Sequence, residues 1–92
     1  MHPQTDEKRM IAEARNILLL LTDGNAAQAI DRIAQFDTEL SKQDTSHVAT
    51  DVRALWDQVG IAAGNMSNVQ YFEDVKEELN RVTFEHNKRH PV

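Results

Sequence analysis

The chain has no cysteine, which excludes a disulfide framework, a thiolate metal site and a cysteine nucleophile. It has no apolar run near the roughly 20 residues that cross a bilayer; the longest, residues 17–21, is Ile-Leu-Leu-Leu-Leu. Residues 1–9 are polar and charged, whereas a secretory signal puts a long apolar stretch behind a basic start. These absences predict a soluble, cytoplasmic protein whose core stands on packing alone. There is no glycine-rich phosphate loop, the serines have no triad context, and no Glu-x-x-His pair of the kind that builds a di-iron bundle occurs. Neither enzymatic activity nor a cofactor is expected. Positive charge is also scarce. Lys and Arg number 10 against 15 Asp and Glu, a net charge of −5, which repels nucleic acid and anionic membrane. Protein partners that are basic, or that are met through apolar contacts, suit that sign.

What the chain does have is helical periodicity from end to end. Ninety-two residues with an apolar fraction of 40% suit one domain, residues 1–92, with a single small core. Four segments carry apolar stripes at spacings of three and four residues. The first, residues 5–22, starts at Thr5 as cap and presents Met10, Ala14, Ile17 and Leu21, flanked by Ile11, Leu18 and Leu20; Gly24 stops it. The second, 26–42, follows a capping pair of Asn25 and Gln28 and aligns Ala26, Ala29, Ile30, Ile33, Phe36 and Leu40. After a polar connection in which Asp44, Thr45 or Ser46 can cap, the third, 47–63, aligns Val48, Val52, Leu55, Trp56, Val59 and Ala63. Gly60 inside it marks a close helix approach or a bend. The fourth, 68–87, opens on a capping box in which Ser67 and Gln70 satisfy each other's backbone amides, with Met66 and Tyr71 at staple spacing. It carries Val69, Phe72, Val75, Leu79 and Val82 inward, and Pro91 closes the chain. Four stripes of similar length with short joints can bury one another only side by side, which predicts an all-α fold, an antiparallel up-down-up-down four-helix bundle.

Few residues point to chemistry. His86 and His90 are spaced i, i+4 and can reach one metal from adjacent turns, but with no third ligand evident they read as cations complementing the negative end of a helix dipole. No metal site is predicted, and His2 and His47 read as solvated surface. Glu73, Asp74, Glu77 and Glu78 form two carboxylate rows that read as a solvated face. A helix-turn-helix reading of residues 57–72 would present Gln70, Glu73, Asp74 and Glu77 to phosphates of like charge, so DNA binding is not expected. Trp56 to Gly60 has the wrong spacing for the Trp-x-Gly hairpin of helical secretion proteins, and Trp56 lies on the buried stripe.

The apolar residues off the stripes are more useful. At 100° per residue Leu19 sits opposite Ile17, Ile61 opposite Val52, and Phe84 about 120° from Phe72. Any two of these that adjoin would form a contact patch. Phe84 shares a face with Glu73, Glu77 and Lys88, an aromatic anchor in a charged rim, and Arg89 follows in the basic tail. Phe84, Glu73, Glu77, Lys88, Arg89, Leu19 and Ile61 are therefore the candidate partner-binding residues.

The layout of residues 13–89 resembles the pediocin-like (class IIa) bacteriocin immunity proteins of lactic acid bacteria. The likeness rests on a Leu-rich first helix and an Ala-rich second ending in Phe36-Asp37-Thr38-Glu39-Leu40-Ser41-Lys42. It continues in a third helix with Val52 and Leu55 and a Ser67-capped fourth with Val69, Phe72 and Val75. Many members are basic, and here only the tail from His86 to His90 matches a basic end. The resemblance implies an antiparallel four-helix bundle in the cytosol that recognises a bacteriocin-bound sugar-transport permease without catalysis, its C-terminal part setting specificity. The other class left open is a small helical regulator or antitoxin, or a structural subunit whose bundle is completed in an oligomer.

Overall fold

Helix starts and stops in this chain follow from where orphaned backbone groups find partners. In the computed structural model, which describes residues 4–90, the first helix, α1 (Glu7–Thr22), is capped by Asp6. The Asp6 carboxylate accepts the amides of Lys8 and Arg9 at 3.0 and 3.4 Å. Thr5, the expected cap, is instead buried: its hydroxyl donates to Gln43 Oε1 at 2.9 Å, and its amide donates to the Asp44 carbonyl at 3.0 Å. A carboxylate one residue nearer the helix both caps and opposes the dipole, which leaves Thr5 available for tertiary pairing. His2 and Pro91 lie outside the described residues.

Gly24 ends α1 with a φ of +80°, the left-handed conformation in which a Cβ is strained. The Asn25 amide reaches back to the Leu20 carbonyl at 2.8 Å, the long bond of a Schellman turn, and α2 (Ala26–Leu40) starts at once. Asn25 makes no side-chain cap, so the expected pair with Gln28 does not form. The third helix, α3 (Thr50–Ala63), begins three residues later than expected, with Ala49 at its cap and none of Asp44, Thr45 or Ser46 in that role. Another helix supplies the acceptor: Glu7 Oε2, from α1, takes the Ala49 amide at 3.1 Å.

The fourth helix, α4 (Val69–Arg89), starts one residue after the expected position. Asn68 accepts the Tyr71 amide at 3.0 Å, while Ser67 turns to Asn65 and Gln70 donates forward to Asp74. The capping box is thus replaced by a single Asn cap. Asparagine caps at least as well as serine and stands one position closer to the apolar stripe. Met66 and Tyr71 still pack against the core.

The four helices form the antiparallel up-down-up-down bundle that the sequence predicts. Its cross-section is a skewed diamond, because α1 and α3 each pack on all three other helices while α2 and α4 do not touch. The core follows the stripes: Ile17, Val52, Leu55, Val59, Val75 and Val82 are essentially inaccessible. Each such side chain contributes roughly 1.5–3 kcal/mol through removal from water. Trp56 is buried among them, its ring 4.8 Å from that of Phe36, and its indole N–H donates to Asp37 at 2.8 Å.

Two stripe residues depart from expectation. Val69 and Ile30 are exposed; Val69 is the first residue of its helix and lies about 60° round the wheel from Phe72 on the side away from Val75, Leu79 and Val82, off the edge of the buried arc. Ile30 faces outward because α2 is covered only by α1 and α3, so a narrower arc suffices. Gly60 meets no atom within 4 Å of where a Cβ would lie, so close helix approach is not its role. No described helix is long and apolar enough to cross a membrane.

Candidate functional site

Two features of α4 stand apart from packing. The first is its outer face. α4 is unbroken over 21 residues, so Glu73, Glu77, Phe84 and Lys88 fall within one strip, as spacings of 4, 7 and 11 residues require. All four are exposed, and Phe84 keeps 62% of its accessible area. Lys88 places Nζ 5.5 Å from the Phe84 ring centroid, near enough for the ammonium to meet the ring's negative face. Glu73 forms an ion pair with Lys76 at 3.0 Å, which in turn covers the buried Phe72 ring at 4.9 Å. Glu78 and Arg81 pair on the neighbouring strip. The result is one large exposed aromatic in a rim of both charges.

The second feature is polar and lies where α1 and α3 begin and α4 ends. Glu7 sits at its centre with a side chain only 12% exposed. Its Oε1 accepts His86 Nδ1 at 2.7 Å and Arg89 Nη2 at 2.6 Å, and its Oε2 accepts the Ala49 amide. Burial alone would raise the Glu7 pKa, but the hydrogen bonds from His86, Ala49 and Arg89, with the Arg89 charge, outweigh it and hold the carboxyl at about 2. Arg89 also approaches Asp51 Oδ2 at 3.8 Å, and Asp51 Oδ1 is buried with no hydrogen-bond partner among the described residues. The His90 ring lies 4.8 Å from that of His86. Glu7, His86 and His90 bring one ligand-type atom each to within 4.8 Å of one another.

This cluster changes the reading of three residues. His86 and His90 gain the third ligand-type group that the sequence did not disclose. Arg89, expected in a binding rim, is spent on Glu7 and ties α4 to α1. Glu7 and Asp51 are not among the candidate residues of the sequence, and no local signal marks them, since Glu7 is 79 residues from His86. His47 is exposed, yet its Nε2 lies 2.8 Å from the Thr5 carbonyl and pins the connection before α3.

Leu19 and Ile61 are exposed as expected, but the structure does not join the three off-stripe residues. Leu19 lines shallow grooves with Leu20 and Arg32 on one side and with Lys76 and Asn80 on the other, and neither groove includes Ile61 or Phe84. Ile61 stands near the end of α3, which leads into the start of α4, and Phe84 is 15 residues or about 22 Å further along that helix. A groove of about 370 Å³ runs over Trp56 between Leu40 and Arg53. Its Asp37 and indole N–H are bonded to each other and do not converge on a ligand. No protein-family model, curated protein or solved structure matches the chain.

Proposed function

We propose that the protein is a non-enzymatic interaction protein that binds a basic protein partner through the outer face of α4. One observation carries the reading: Phe84 is a large aromatic held in water on a rigid helix, within a rim of Glu73, Glu77 and Lys88. Interface hot spots are built from such aromatics, ringed by polar residues that exclude water on contact. Charge selects the partner class. A chain of net charge −5 attracts a cationic surface over distances of about a Debye length and repels nucleic acid.

In its most specific form, the reading makes the chain a cytosolic bacteriocin immunity protein acting on a bacteriocin-bound membrane permease. The support is the resemblance in helix layout together with an outward α4 face in the C-terminal part, where that family sets specificity. The alternative class, a regulator or subunit completed by oligomerisation, is less well supported. The core of one chain is closed by its own 19 buried apolar residues.

The test is Phe84→Ala, assayed for partner binding or for protection of cells challenged with a pediocin-like bacteriocin. The substitution should weaken binding or protection while the unfolding midpoint stays nearly unchanged. If it instead unfolds the bundle and the folded fraction binds normally, Phe84 is a packing residue and the surface assignment is wrong.

A further inference from the structure

We infer that Glu7, His86 and His90 form a binding site for a divalent transition-metal ion of the Zn²⁺ class. This inference stands apart from the outer α4 face and does not depend on it. Two histidines one helical turn apart present imidazoles along one line of α4, and Glu7 of α1 reaches the same point from a second element. Their ligand-type atoms already lie within 4.8 Å of one another. A tetrahedral ion with bonds of roughly 2.0–2.1 Å sets its ligands about 3.3–3.4 Å apart, so the widest separation must close by up to about 1.5 Å while Glu7 Oε1 and His86 Nδ1, now 2.7 Å apart, part by about 0.6 Å. His90, exposed at the end of α4, is free of core packing and can supply that shift by rotating.

The donor set selects the ion. Two imidazole nitrogens and one carboxylate suit Zn²⁺ and its neighbours, whereas Ca²⁺ and Mg²⁺ require shells of oxygen. Both Glu7 and His86 are shielded, with side chains 12% and 11% exposed, which favours charge neutralisation by a bound cation over bulk water. Three protein ligands leave a coordination position open to water or to a partner's side chain.

One group opposes the ion. Arg89 donates to the Glu7 oxygen that also meets His86, and its charge repels a cation. The structure offers that guanidinium a second acceptor. Arg89 Nη1 is already 3.8 Å from Asp51 Oδ2, and Asp51 Oδ1 is buried without a partner among the described residues. On metal binding Arg89 transfers from Glu7 to Asp51, so the site opens without leaving a charge unpaired. Glu7 keeps the Ala49 amide on its other oxygen, which holds the carboxylate in place as a second-shell bond does.

The experiment uses the full chain without an affinity tag and Zn²⁺ alone as the probe, with calorimetric titration and thermal unfolding as readouts. The wild type should bind one Zn²⁺ and unfold at a higher temperature in its presence; Mg²⁺ and Ca²⁺ should do neither. Loss of a second-shell partner costs about 10–100-fold in metal affinity, so His90→Ala, which removes a ligand from an exposed position, should weaken binding by about a hundredfold or more. His47→Ala should bind as the wild type does. Arg89→Gln should bind as tightly or more tightly, since the competing charge is gone. Imidazole NMR signals of both His86 and His90 should move with one equivalent of Zn²⁺ while those of His47 stay. The proposal is overturned if the wild type binds no Zn²⁺ or if His90→Ala binds within a few-fold of the wild type. It is equally overturned if Arg89→Gln abolishes binding.

Discussion

The two ends of the bundle are built on different principles. At the end where α1 stops and α4 starts, the joints are local: Gly24 in its left-handed turn, Gly64 and Asn65 closing α3, and Asn68 capping α4. Every one of those bonds joins residues within five positions. At the other end long-range polar bonds are added to local ones such as the Asp6 cap. Thr5 pairs with Gln43 and Asp44, His47 with Thr5, and Glu7 with Ala49, His86 and Arg89. The first end closes because each turn is correct by itself, and the second because three segments meet around one carboxylate. The second end also carries the groups with chemistry, since charged side chains from several elements converge there.

The largest expected effect belongs to neither end and sets the scale for both. Trp56 lies in the interior between α2 and α3 with its ring against Phe36 and its N–H on Asp37. Trp56→Ala should destabilise by about 3–5 kcal/mol, which is comparable to the whole stability of a small domain, and both ends should unfold together. Native Trp fluorescence that is red-shifted and fully quenchable would place the indole in water and remove that reference.

Next in size is Glu7. Glu7→Gln keeps the shape but removes the charge that pairs Arg89 and His86, so it should cost roughly 1.5–3 kcal/mol, the range for hydrogen bonds to charged groups. The same carboxylate makes this end sensitive to acid. Its pKa is lowered from 4.5 to about 2 in the folded chain. Its contribution is therefore complete above pH 4.5 and is lost as pH falls from there through about 2. Denaturation midpoints of wild type and Glu7→Gln measured from pH 6 to pH 2 should converge across that window. A constant gap between them would mean that Glu7 acts by shape and not by charge.

The local end should answer to smaller changes. Asn68→Ala should cost about 1 kcal/mol through loss of the Tyr71 amide bond, while Ser67→Ala should change the midpoint little. Equal losses at both positions would restore the expected capping box at Ser67 and contradict the Asn cap.

This contrast also explains what the sequence made legible. Apolar spacing found all four helices, the buried face of α1 and α3, and the outward positions of Leu19, Ile61 and Phe84, because periodicity is a property of consecutive residues. Caps were displaced by a residue where two acceptable acceptors adjoin, Thr5 beside Asp6 and Ser67 beside Asn68, since propensity alone does not choose between them. Val69 and Ile30 were misplaced because the width of a buried arc depends on how many neighbours a helix has. Glu7 is illegible as a site residue for a stronger reason: its partners are Ala49, just before α3, and His86 and Arg89 of α4, which become its neighbours only after the bundle closes.

The central claim is that a tertiary clamp at Glu7 holds the last turns of α4, and so presents Phe84 and the two histidines in fixed positions. Native-state amide exchange, residue by residue along α4, tests it most directly. In the wild type the amides of residues 84–89 should be protected to a degree approaching those of residues 75–82. Glu7→Gln should release the former selectively and leave the latter and the Asn68-capped start unchanged. Rapid exchange of residues 84–89 in the wild type, or an even loss of protection along the whole helix in the variant, would contradict the clamp.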